Sequence, residues 1–478
     1  MKLIFDVSDK PKAGQLVVFA LQQMLAILAA TIAVPLIIGN GLTPAAAMFG
    51  AGVGTIVYIL FTKGKSPVFL GSSFAFLGSM AAAFAGGVSM QLGMLGLIIG
   101  ALLAGLVYVV IAIVVKFVGV GWLNKLMPAV VIGPTVAIIG LSLAGNAIGD
   151  LLKGDVTKQV TEYVVSTDSG TPEIIETVSN VPVGSSYVAL VCGLITLAVV
   201  MLCSAYGKKT LRLIPFIIGI LAGYAAAAIF TVIGNICDID ALKIVDLSVF
   251  SSYMLTDGSI SLKTFVSLPD FAFVSGLKGL KEFDFSYFAT IFVAYVPVAL
   301  VVFAEHVADH KNLSSIIDHD LLEEPGLTRT LLGDGVGSIA GALFGGCPNT
   351  TYGESVACVA ITGNASVITI FAAAIGCMLF SFITPLVAFV DSIPACVMGG
   401  VCIALYGFIA VSGLKMIQDV NLDDNRNLFV VSVILIAGIG GLTLTFGDIT
   451  LTEVAAALIL GILTNVMLSK KKGNADKK

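Results

Sequence analysis

The sequence predicts an all-α polytopic membrane protein with 14 transmembrane segments arranged as a 7+7 inverted repeat. Three observations predict this fold class. Of the 478 residues, 58% are hydrophobic and only 12% are charged, and the mean hydropathy is +1.04, whereas soluble domains carry about 25% charged residues. Basic residues fall on alternate sides of successive apolar segments. Three short motifs recur in the same order in the two halves of the chain.

Composition and charge exclude several functional classes. The net charge of −5 offers no basic surface for a nucleic-acid backbone, so no nucleic-acid partner is expected. The eight cysteines lie mostly inside apolar runs and never form a CxxC pair, which argues against a disulfide or metal framework. The sequence contains no phosphate-binding G-x-x-x-x-G-K-[ST] loop and suggests no cofactor. Any uphill transport would therefore draw on a gradient.

The apolar segments have the length that crosses a hydrocarbon core, about 17 to 25 residues. Two of them contain residues that interrupt helices: the third has Pro67 and Gly71, and the tenth has Pro348 and Gly353. We expect non-helical backbone at membrane depth in both. The predicted segments are 16–38, 43–62, 67–86, 93–117, 126–149, 186–204, 213–234, 286–308, 328–346, 348–364, 366–390, 393–413, 427–446 and 449–468.

The distribution of lysine and arginine predicts the orientation. With the N-terminus inside, nineteen of the 25 basic residues lie on the inner side, and positive residues favour the cytoplasm. The other six lie in the long segments 150–185 and 235–285, where this rule is weak. We therefore expect a multi-pass protein of the cytoplasmic membrane with both termini in the cytoplasm. The alternation of polar and branched residues over 153–185 predicts a small hairpin on the outer face.

Each half of the chain holds seven predicted segments and repeats three motifs. Because seven is odd, the second half must be inserted upside down relative to the first. Such inverted repeats are typical of secondary transporters, whose substrate binds near the midplane between discontinuous helices. The matching pairs are Gly50–Thr55 with Gly333–Ser338, Ser72–Phe74 with Thr350–Tyr352, and Pro128–Gly133 with Pro394–Gly399.

Two glutamates lie within apolar segments, where an ionisable side chain is costly and usually functional. Glu305 lies near the end of the eighth segment and Glu354 in the interrupted tenth. A plain structural alternative exists for each. Glu305 could be neutralised and hydrogen-bonded to its neighbours, and Glu354 could cap a half-helix, because carboxylates favour helix N-termini. Capping and ligand binding are compatible.

Further polar residues follow Glu305 on the same predicted helix. Asp309 is four residues later and shares its face, and His306 and His310 share another face. Lys311 indicates that the helix leaves the membrane here, so we expect His310 to be solvated. The position of His306 remains open at this stage.

The two histidines, His306 and His310, could instead belong to a metal site. The run from His306 to His310 resembles the inverted zincin motif H-x-x-E-H, with Asp309 in place of glutamate. Zinc catalysis needs a third protein ligand. The remaining histidine, His319, lies in a charged loop. An intramembrane metalloenzyme is therefore the distant alternative, and no metal is expected.

Four motifs carry a resemblance to a known family that extends over residues 16–468. The chain resembles the uracil/xanthine permeases of the nucleobase/ascorbate transporter family, and within it the uracil type. The motifs are Leu70-Gly71-Ser72-Ser73-Phe74-Ala75-Phe76, Ala304-Glu305-His306-Val307-Ala308-Asp309, Pro325-Gly326-Leu327 and Pro348-Asn349-Thr350-Thr351-Tyr352-Gly353-Glu354-Ser355.

The resemblance implies a division into two domains. A core domain would comprise residues 1–125, with segments 1–4, and residues 286–390, with segments 8–11. A gate domain would comprise residues 126–285, with segments 5–7 and the long outer loops, and residues 391–478, with segments 12–14 and a cytoplasmic tail. Short antiparallel strands in segments 3 and 10 would hold the substrate between them.

The resemblance also implies a binding site. Uracil presents two N–H donors and two carbonyl acceptors on a flat ring, and ionised carboxylates accept hydrogen bonds only, so they suit its N–H groups. In the family, the two glutamates bind the base, backbone groups add hydrogen bonds, and small or aromatic side chains line the pocket. The corresponding residues here are Glu305 and Glu354, the backbone of Phe74 and Gly353, and the side chains of Ala30, Tyr352 and Tyr406.

Substrate choice within the family rests on the tenth segment. Gly353 followed by Glu354 resembles the uracil type, whereas purine carriers tend to have Gln-Asn there. Ser355 replaces the usual asparagine, and Gln23 stands where many members have a histidine. Asp309 occurs in carriers of both types. A purine symporter for xanthine or urate is therefore retained as the alternative.

The expected mechanism is proton symport with alternating access between core and gate. Glu305, Asp309 and His306 would couple the proton, and sodium coupling is retained as an alternative. The expected partners are uracil, protons and the lipid bilayer, and a homodimer is the assembly to consider.

Overall fold

The structure is a computed structural model that describes most of the chain. It describes residues 3–119, 128–166, 173–254, 259–418, 420–446 and 449–469. The predicted domain boundary at 125/126, the start of the fifth segment and the cytoplasmic tail beyond residue 469 lie outside the described residues.

Helices dominate the first half of the described chain. Interrupted apolar runs end helices early, and a short 3₁₀ turn at Phe74–Phe76 precedes the third helix. The elements are α1 Ala13–Ile38, α2 Pro44–Phe61, β1 Leu70–Ser72, α3 Leu77–Ala83, α4 Met90–Val118, α5 Ala129–Ser142, α6 Ala144–Leu151, β2 Thr157–Ser166, β3 Glu173–Pro182, α7 Ser186–Tyr206, α8 Lys209–Leu213, α9 Pro215–Cys237, α10 Ser248–Met254 and α11 Ala272–Gly276.

The second half begins with the longest described helix. The elements are α12 Phe285–Ile317, α13 Leu327–Gly345, β4 Asn349–Thr351, α14 Gly353–Thr362, α15 Val367–Phe380, α16 Thr384–Asp391, α17 Ala395–Met416, α18 Asn425–Ile439, β5 Leu444–Phe446, β6 Ile449–Leu451 and α19 Glu453–Leu468. Further 3₁₀ turns are Ala85–Gly87, Asp240–Leu242, Leu262–Thr264 and Leu277–Lys281, and a π turn is Leu322–Gly326.

Polar side chains begin several of the long helices. Thr43, Ser89 and Asp284 each precede a helix and accept a hydrogen bond from the backbone N–H three residues later. The side-chain oxygen satisfies one of the N–H groups that a helix leaves unpaired at its start. These residues therefore fix where α2, α4 and α12 begin.

Eight described helices or helix pairs are long and apolar enough to cross a membrane, judged by length and composition. They are α1, α2, α4, the consecutive pair α5 and α6, α7, α9, α12 and α17. Shorter apolar helices, among them α14, α15, α18 and α19, coincide with further predicted segments. The apolar runs therefore predicted the helices correctly within the described residues, whereas the count of fourteen spans stays a prediction.

Short strands form three antiparallel pairs among the described residues: β1 with β4, β2 with β3, and β5 with β6. The pairing of β1 with β4 confirms the strands expected in the third and tenth segments. The pairing of β2 with β3 confirms the hairpin expected over 153–185, and residues 167–172 lie outside the described residues.

Glycines let α2 and α13 pack at close range. An ideal Cβ on Gly54 would lie 2.7 Å from the carbonyl oxygen of Gly337, and one on Gly50 would lie 2.4 Å from that of Gly341. Any larger residue would push the helices apart, which is why small residues mark close contacts between membrane helices. Both glycine pairs belong to, or adjoin, the first repeated motif.

The described chain divides into two compact units. The larger comprises residues 1–143, 265–387 and 405–478, and the smaller comprises residues 144–264 and 388–404. The larger unit contains β1, β4, α12 and α14 and all of the predicted binding residues. The assignment of core and gate domains stays a prediction.

Candidate functional site

Two short strands from distant parts of the chain form the frame of the site. Leu70 pairs with Thr351, and Ser72 pairs with Asn349. The ladder continues beyond the strands, since the N–H of Tyr352 donates to the carbonyl of Phe69 over 3.2 Å. Because backbone groups at membrane depth must find partners within the protein, this pairing allows extended backbone there.

A helical segment begins directly after each strand. The 3₁₀ turn of Phe74–Phe76 and helix α3 follow β1, and α14 follows β4 with Tyr352 as its preceding residue. The first N–H groups of a helix lack partners within it, and its N-terminus carries a partial positive charge. Two such ends beside one strand pair offer donors for carbonyl oxygens or anions.

Three carboxylic acids lie close together beside this strand pair. Glu305 and Asp309 lie on α12, and Glu354 lies in the first turn of α14. All three are partly exposed, and their carboxyl groups are near enough to interact electrostatically. Gly353 is exposed, and an ideal Cβ on it would lie 3.9 Å from Oδ1 of Asp309. The structure therefore brings together four of the predicted site residues.

The carboxyl groups differ in their protein partners. The hydroxyl of Thr351 donates to Oδ2 of Asp309 over 2.8 Å, which fixes Asp309 against strand β4. Within the described part of the chain, no hydrogen bond reaches the carboxyl group of Glu305. An acceptor in a membrane helix that the protein itself does not satisfy is available to a ligand.

Aromatic side chains pack around the strand pair in two ways. The rings of Phe74 and Tyr406 meet edge to face with centroids 5.8 Å apart. The Tyr352 hydroxyl donates to the carbonyl of Ser72 over 2.8 Å, and its ring lies against Gly71, where any Cβ would clash. Tyr352 therefore braces β1, and Phe74 with Tyr406 forms an aromatic contact at the start of the helical segment.

The first helix contributes small and polar residues. Ala30 is buried on α1, which packs against β1 and α14. On the same helix, Nε2 of Gln23 donates to the hydroxyl of Ser355, which also accepts the backbone N–H of Phe69 over 3.0 Å. Ser355 therefore joins α1, the approach to β1 and the start of α14, next to Glu354.

His306 takes part in a wholly buried hydrogen-bond network between α12 and α13. Its Nδ1 is 2.7 Å from Oδ2 of Asp334, and its Nε2 is 3.0 Å from the hydroxyl of Thr330. The Thr330 hydroxyl donates to the carbonyl of Leu327, so it accepts from Nε2. Nδ1 and Oδ2 then share one proton. The coupling role predicted for His306 stays untested.

The expectation that His310 is solvated is wrong. Helix α12 continues to Ile317, and His310 is fully buried. Its Nδ1–H donates to the carbonyl of His306 over 2.8 Å, so Nε2 accepts from the Tyr58 hydroxyl over 2.6 Å. The error arose because Lys311 was read as the membrane boundary, whereas His310 lies on the packed face of a helix that continues to Ile317.

Sequence reasoning missed several residues that support the site. Asp334 follows a glycine inside an apolar run, and this signal marks it as an intramembrane acid. The roles of Thr351, Gln23 and Ser355 had no such signal, because each depends on a partner far away in the sequence.

Among the described residues, no group of three or more His, Cys, Asp or Glu side chains is arranged to hold a metal ion.

Comparison with known proteins identifies the family. The sequence profile Xan_ur_permease, described as the permease family, matches residues 14–183 and 169–446. The uracil permease of Bacillus caldolyticus is 36% identical over 478 residues, covering 99% of this chain and 97% of the relative. The uracil permease of Escherichia coli K12 is 33% identical over 458 residues, covering 95% and 92%. The chain belongs to the uracil/xanthine permease family.

Solved structures share the fold of this permease. The transmembrane domain of the cyanobacterial bicarbonate transporter BicA matches with a TM-score of 0.57 at 13% identity, covering 96% of the permease and 100% of that domain. The structure of SLC26A9 matches with a TM-score of 0.59 at 12% identity, covering 96% and 66%. At such identities the likeness establishes the fold alone.

Family membership and the apolar helices settle the general class. The permease is a multi-pass integral membrane protein and a transporter. It is not an enzyme, which removes the metalloenzyme alternative. The resemblance to the nucleobase/ascorbate transporter family is confirmed.

Proposed function

We propose that the permease imports uracil by proton symport across the cytoplasmic membrane. The observation that carries this proposal is the cluster of Glu305, Asp309 and Glu354, three partly exposed acids beside two strand–helix junctions in an otherwise apolar body. The relatives named uracil permease support the choice of base.

The chemistry of the cluster suits a pyrimidine with two N–H groups. Glu305 and Glu354 would accept from the ring N–H groups, and the backbone N–H groups at Phe74 and Gly353 would donate to the ring carbonyls. Ala30, Tyr352 and Tyr406 would complete the lining. An analogue that lacks a matched N–H would leave a carboxylate unpaired, which gives strong discrimination.

Proton coupling would use acids that lie within reach of the substrate. Glu305 and Asp309 occupy adjacent turns of α12, so protonation of one would relieve its repulsion from the others. His306 would connect this face to the buried Asp334 behind it. Proton and substrate would then bind together because the proton removes one negative charge, and the ring N–H groups donate to the carboxylates that stay ionised.

We propose that fourteen spans form the 7+7 inverted repeat. Two equivalent hydrogen bonds support it: the Thr55 hydroxyl accepts the N–H of Leu70 over 2.9 Å, and the Ser338 hydroxyl accepts the N–H of Asn349 over 3.0 Å. Thr55 and Ser338 end the first repeated motif in each half, and their partners begin β1 and β4. The same local device therefore holds a strand in each half.

Alternating access would move a core domain against a gate domain. The proposed core comprises residues 1–125 and 286–390, and the proposed gate comprises residues 126–285 and 391–478. Both termini would lie in the cytoplasm, as the basic residues predict. The motion of one domain against the other would carry the base across.

Uptake into proteoliposomes tests the proposal. Radiolabelled uracil should accumulate above equilibrium when the lumen is alkaline relative to the outside, and an uncoupler should abolish the accumulation. Accumulation that survives the uncoupler and requires sodium would contradict proton coupling. Stronger competition by unlabelled xanthine or urate than by unlabelled uracil would contradict the substrate and favour a purine symporter.

A further inference from the structure

A segment near the start of the chain pairs with the turn that follows the half-helix carrying Glu354. We call Leu3–Asp9 the N-terminal strap. The N–H of Ile4 donates to the carbonyl of Gly363 over 2.7 Å, and the N–H of Ala365 donates to the carbonyl of Phe5 over 2.9 Å. The N–H of Val367 donates to the carbonyl of Val7 over 3.1 Å. The strap thus runs alongside the turn that joins α14 to α15.

The turn is itself shaped to receive the strap. The hydroxyl of the buried Ser366 donates to the carbonyl of Asp9 over 2.6 Å. The Asn364 side chain accepts the N–H of Ser366 over 2.9 Å and donates to Thr369 over 3.0 Å, which holds the turn in this conformation. The strap and the turn are therefore joined by side-chain as well as backbone bonds.

Side chains of the strap alternate between two faces. Leu3 and Val7 pack against a buried cluster, whereas Ile4 is 63% exposed and Ser8 is exposed. Val7 and Ser8 lie in a turn in which the N–H of Asp9 donates to the carbonyl of Asp6 over 3.1 Å, and this turn places Val7 on the packed side and Ser8 on the exposed side. The cluster consists of Tyr58, Val68, Leu70, Leu313, Ile317, Leu321, Val356, Val359 and Ala365.

The strap satisfies groups that the two short helices leave unpaired. Gly363 follows α14 with φ of +68°, so α14 ends there, and the Gly363 carbonyl accepts from the N–H groups of Ile4 and Phe5 in the strap. Val367 begins α15, and its N–H likewise has no helical acceptor. Without the strap these groups would need water in a region where Ala365 and Val367 are buried.

One end of α14 lies next to the strap, and the other end carries Glu354, the residue proposed to bind the base. Val356 and Val359 of α14 lie in the cluster that Val7 covers, and Glu354 lies two residues before Val356 on the same helix. We propose that the N-terminal strap positions Glu354 by holding α14 at its far end. This inference rests on the proposed function, in which Glu354 binds the base.

Paired substitutions in the full-length chain test the strap. Val7→Asp places a charge on the packed face, whereas Ser8→Asp places the same charge on the exposed face and serves as the control. We expect Val7→Asp to weaken uracil binding to the purified protein at least tenfold, Ser8→Asp to change it less than twofold, and Val7→Ile to behave as the unaltered chain. Equal affinities for the two aspartate variants would overturn the proposal.

A second measurement tests the strap independently of the substrate. It also decides the question if Val7→Asp folds poorly. Ser366→Ala removes only the bond to the Asp9 carbonyl, and hydrogen exchange of Ala365 and Val367 needs no ligand. We expect faster exchange at both amides in Ser366→Ala and Val7→Asp than in Ser8→Asp. If the unaltered chain binds xanthine instead of uracil, the proposed function fails, and the affinities are compared with xanthine. Unchanged exchange in both strap variants would overturn the strap.

Discussion

The hydroxyl of Thr351 donates to Oδ2 of Asp309 across 2.8 Å, and this bond ties strand β4 to helix α12. The two residues are 42 positions apart in the sequence. Because Gly353 follows Thr351 by two residues, the bond also sets the distance between Asp309 and the start of α14. The acids of the proposed site are therefore held by a side-chain contact as well as by the strand ladder.

Replacing Thr351 by valine should loosen this arrangement. Valine keeps the shape but cannot donate, so Asp309 loses its partner at a cost of about 1.5–3 kcal/mol, the range for a bond to a charged group. We expect uracil affinity to fall roughly tenfold in a radioligand binding assay. Thr351→Ser retains the hydroxyl and should restore most of the affinity. An unchanged affinity in Thr351→Val would show that this bond does not order the site.

The effects of substituting Gln23 and Ser355 on stability should be coupled, because the two side chains are hydrogen-bonded to each other. Ser355→Ala leaves the Gln23 amide and the N–H of Phe69 without their acceptor, and an unsatisfied buried donor costs about 1–3 kcal/mol. We expect a lower thermal unfolding midpoint in detergent for Ser355→Ala. The double variant Gln23→Leu/Ser355→Ala should be less destabilised than the sum of the single variants. Strict additivity would contradict the direct contact.

The histidine network should be separable from the site. Tyr58→Phe removes the hydroxyl that donates to His310 and lies 2.7 Å from the Ser66 hydroxyl. We expect a loss of about 1–3 kcal/mol in the free energy of unfolding, because all three groups are buried. Uracil affinity of the folded fraction should change less than twofold. A large loss of affinity without a change in unfolding would place Tyr58 in the binding site instead.

Asp155 gives the smaller unit a pH-dependent stability. Burial raises the pKa of its carboxyl from 3.8 to about 6, although the N–H of Ala395, which donates to Oδ1 over 3.1 Å, opposes the rise. The nearby carboxylates of Asp246 and Asp150 raise this pKa further. The folded chain then keeps this proton up to about pH 6, whereas the unfolded chain releases it near pH 4. The contribution of the Asp155 carboxyl to the free energy of unfolding therefore falls as the pH rises from 4 to 6.

Substitution by asparagine tests this dependence. The difference between 3.8 and about 6 corresponds to at most about 3 kcal/mol of unfolding free energy. Asp155→Asn retains an acceptor for Ala395 but does not titrate, so the fall in unfolding midpoint between pH 4 and pH 7 should become smaller. Asp270→Asn, at an exposed position, should leave it unchanged. Identical pH profiles for Asp155→Asn and the unaltered chain would contradict the assignment.

The sequence predicted the helices well because each depends on a local apolar run. The third and tenth segments were expected to contain non-helical backbone, and β1 at Leu70–Ser72 and β4 at Asn349–Thr351 lie in them. Helix ends were less certain: Lys311 suggested an exit, yet α12 runs on to Ile317. A single exposed lysine marks one face of a helix and does not mark its end.

The contacts between distant residues could not be predicted from local patterns. Gln23 and Ser355 are 332 residues apart, and each looked like an isolated departure from the family pattern until the structure joined them. The His306–Asp334 pair was missed for the same reason, although His306 was noticed alone. Polar partners across a membrane bundle depend on helix packing, which apolar periodicity does not specify.

Equilibrium binding of radiolabelled uracil to Glu305→Gln and Glu354→Gln tests the central claim most directly. Glutamine keeps the size of the side chain but removes the charge, so each variant should bind uracil roughly 10- to 150-fold more weakly, the equivalent of about 1.5–3 kcal/mol. Glu323→Gln, at an exposed position, is the matched control and should bind like the unaltered chain. Affinities within twofold of the control for both variants would contradict the account, because the base would then bind elsewhere.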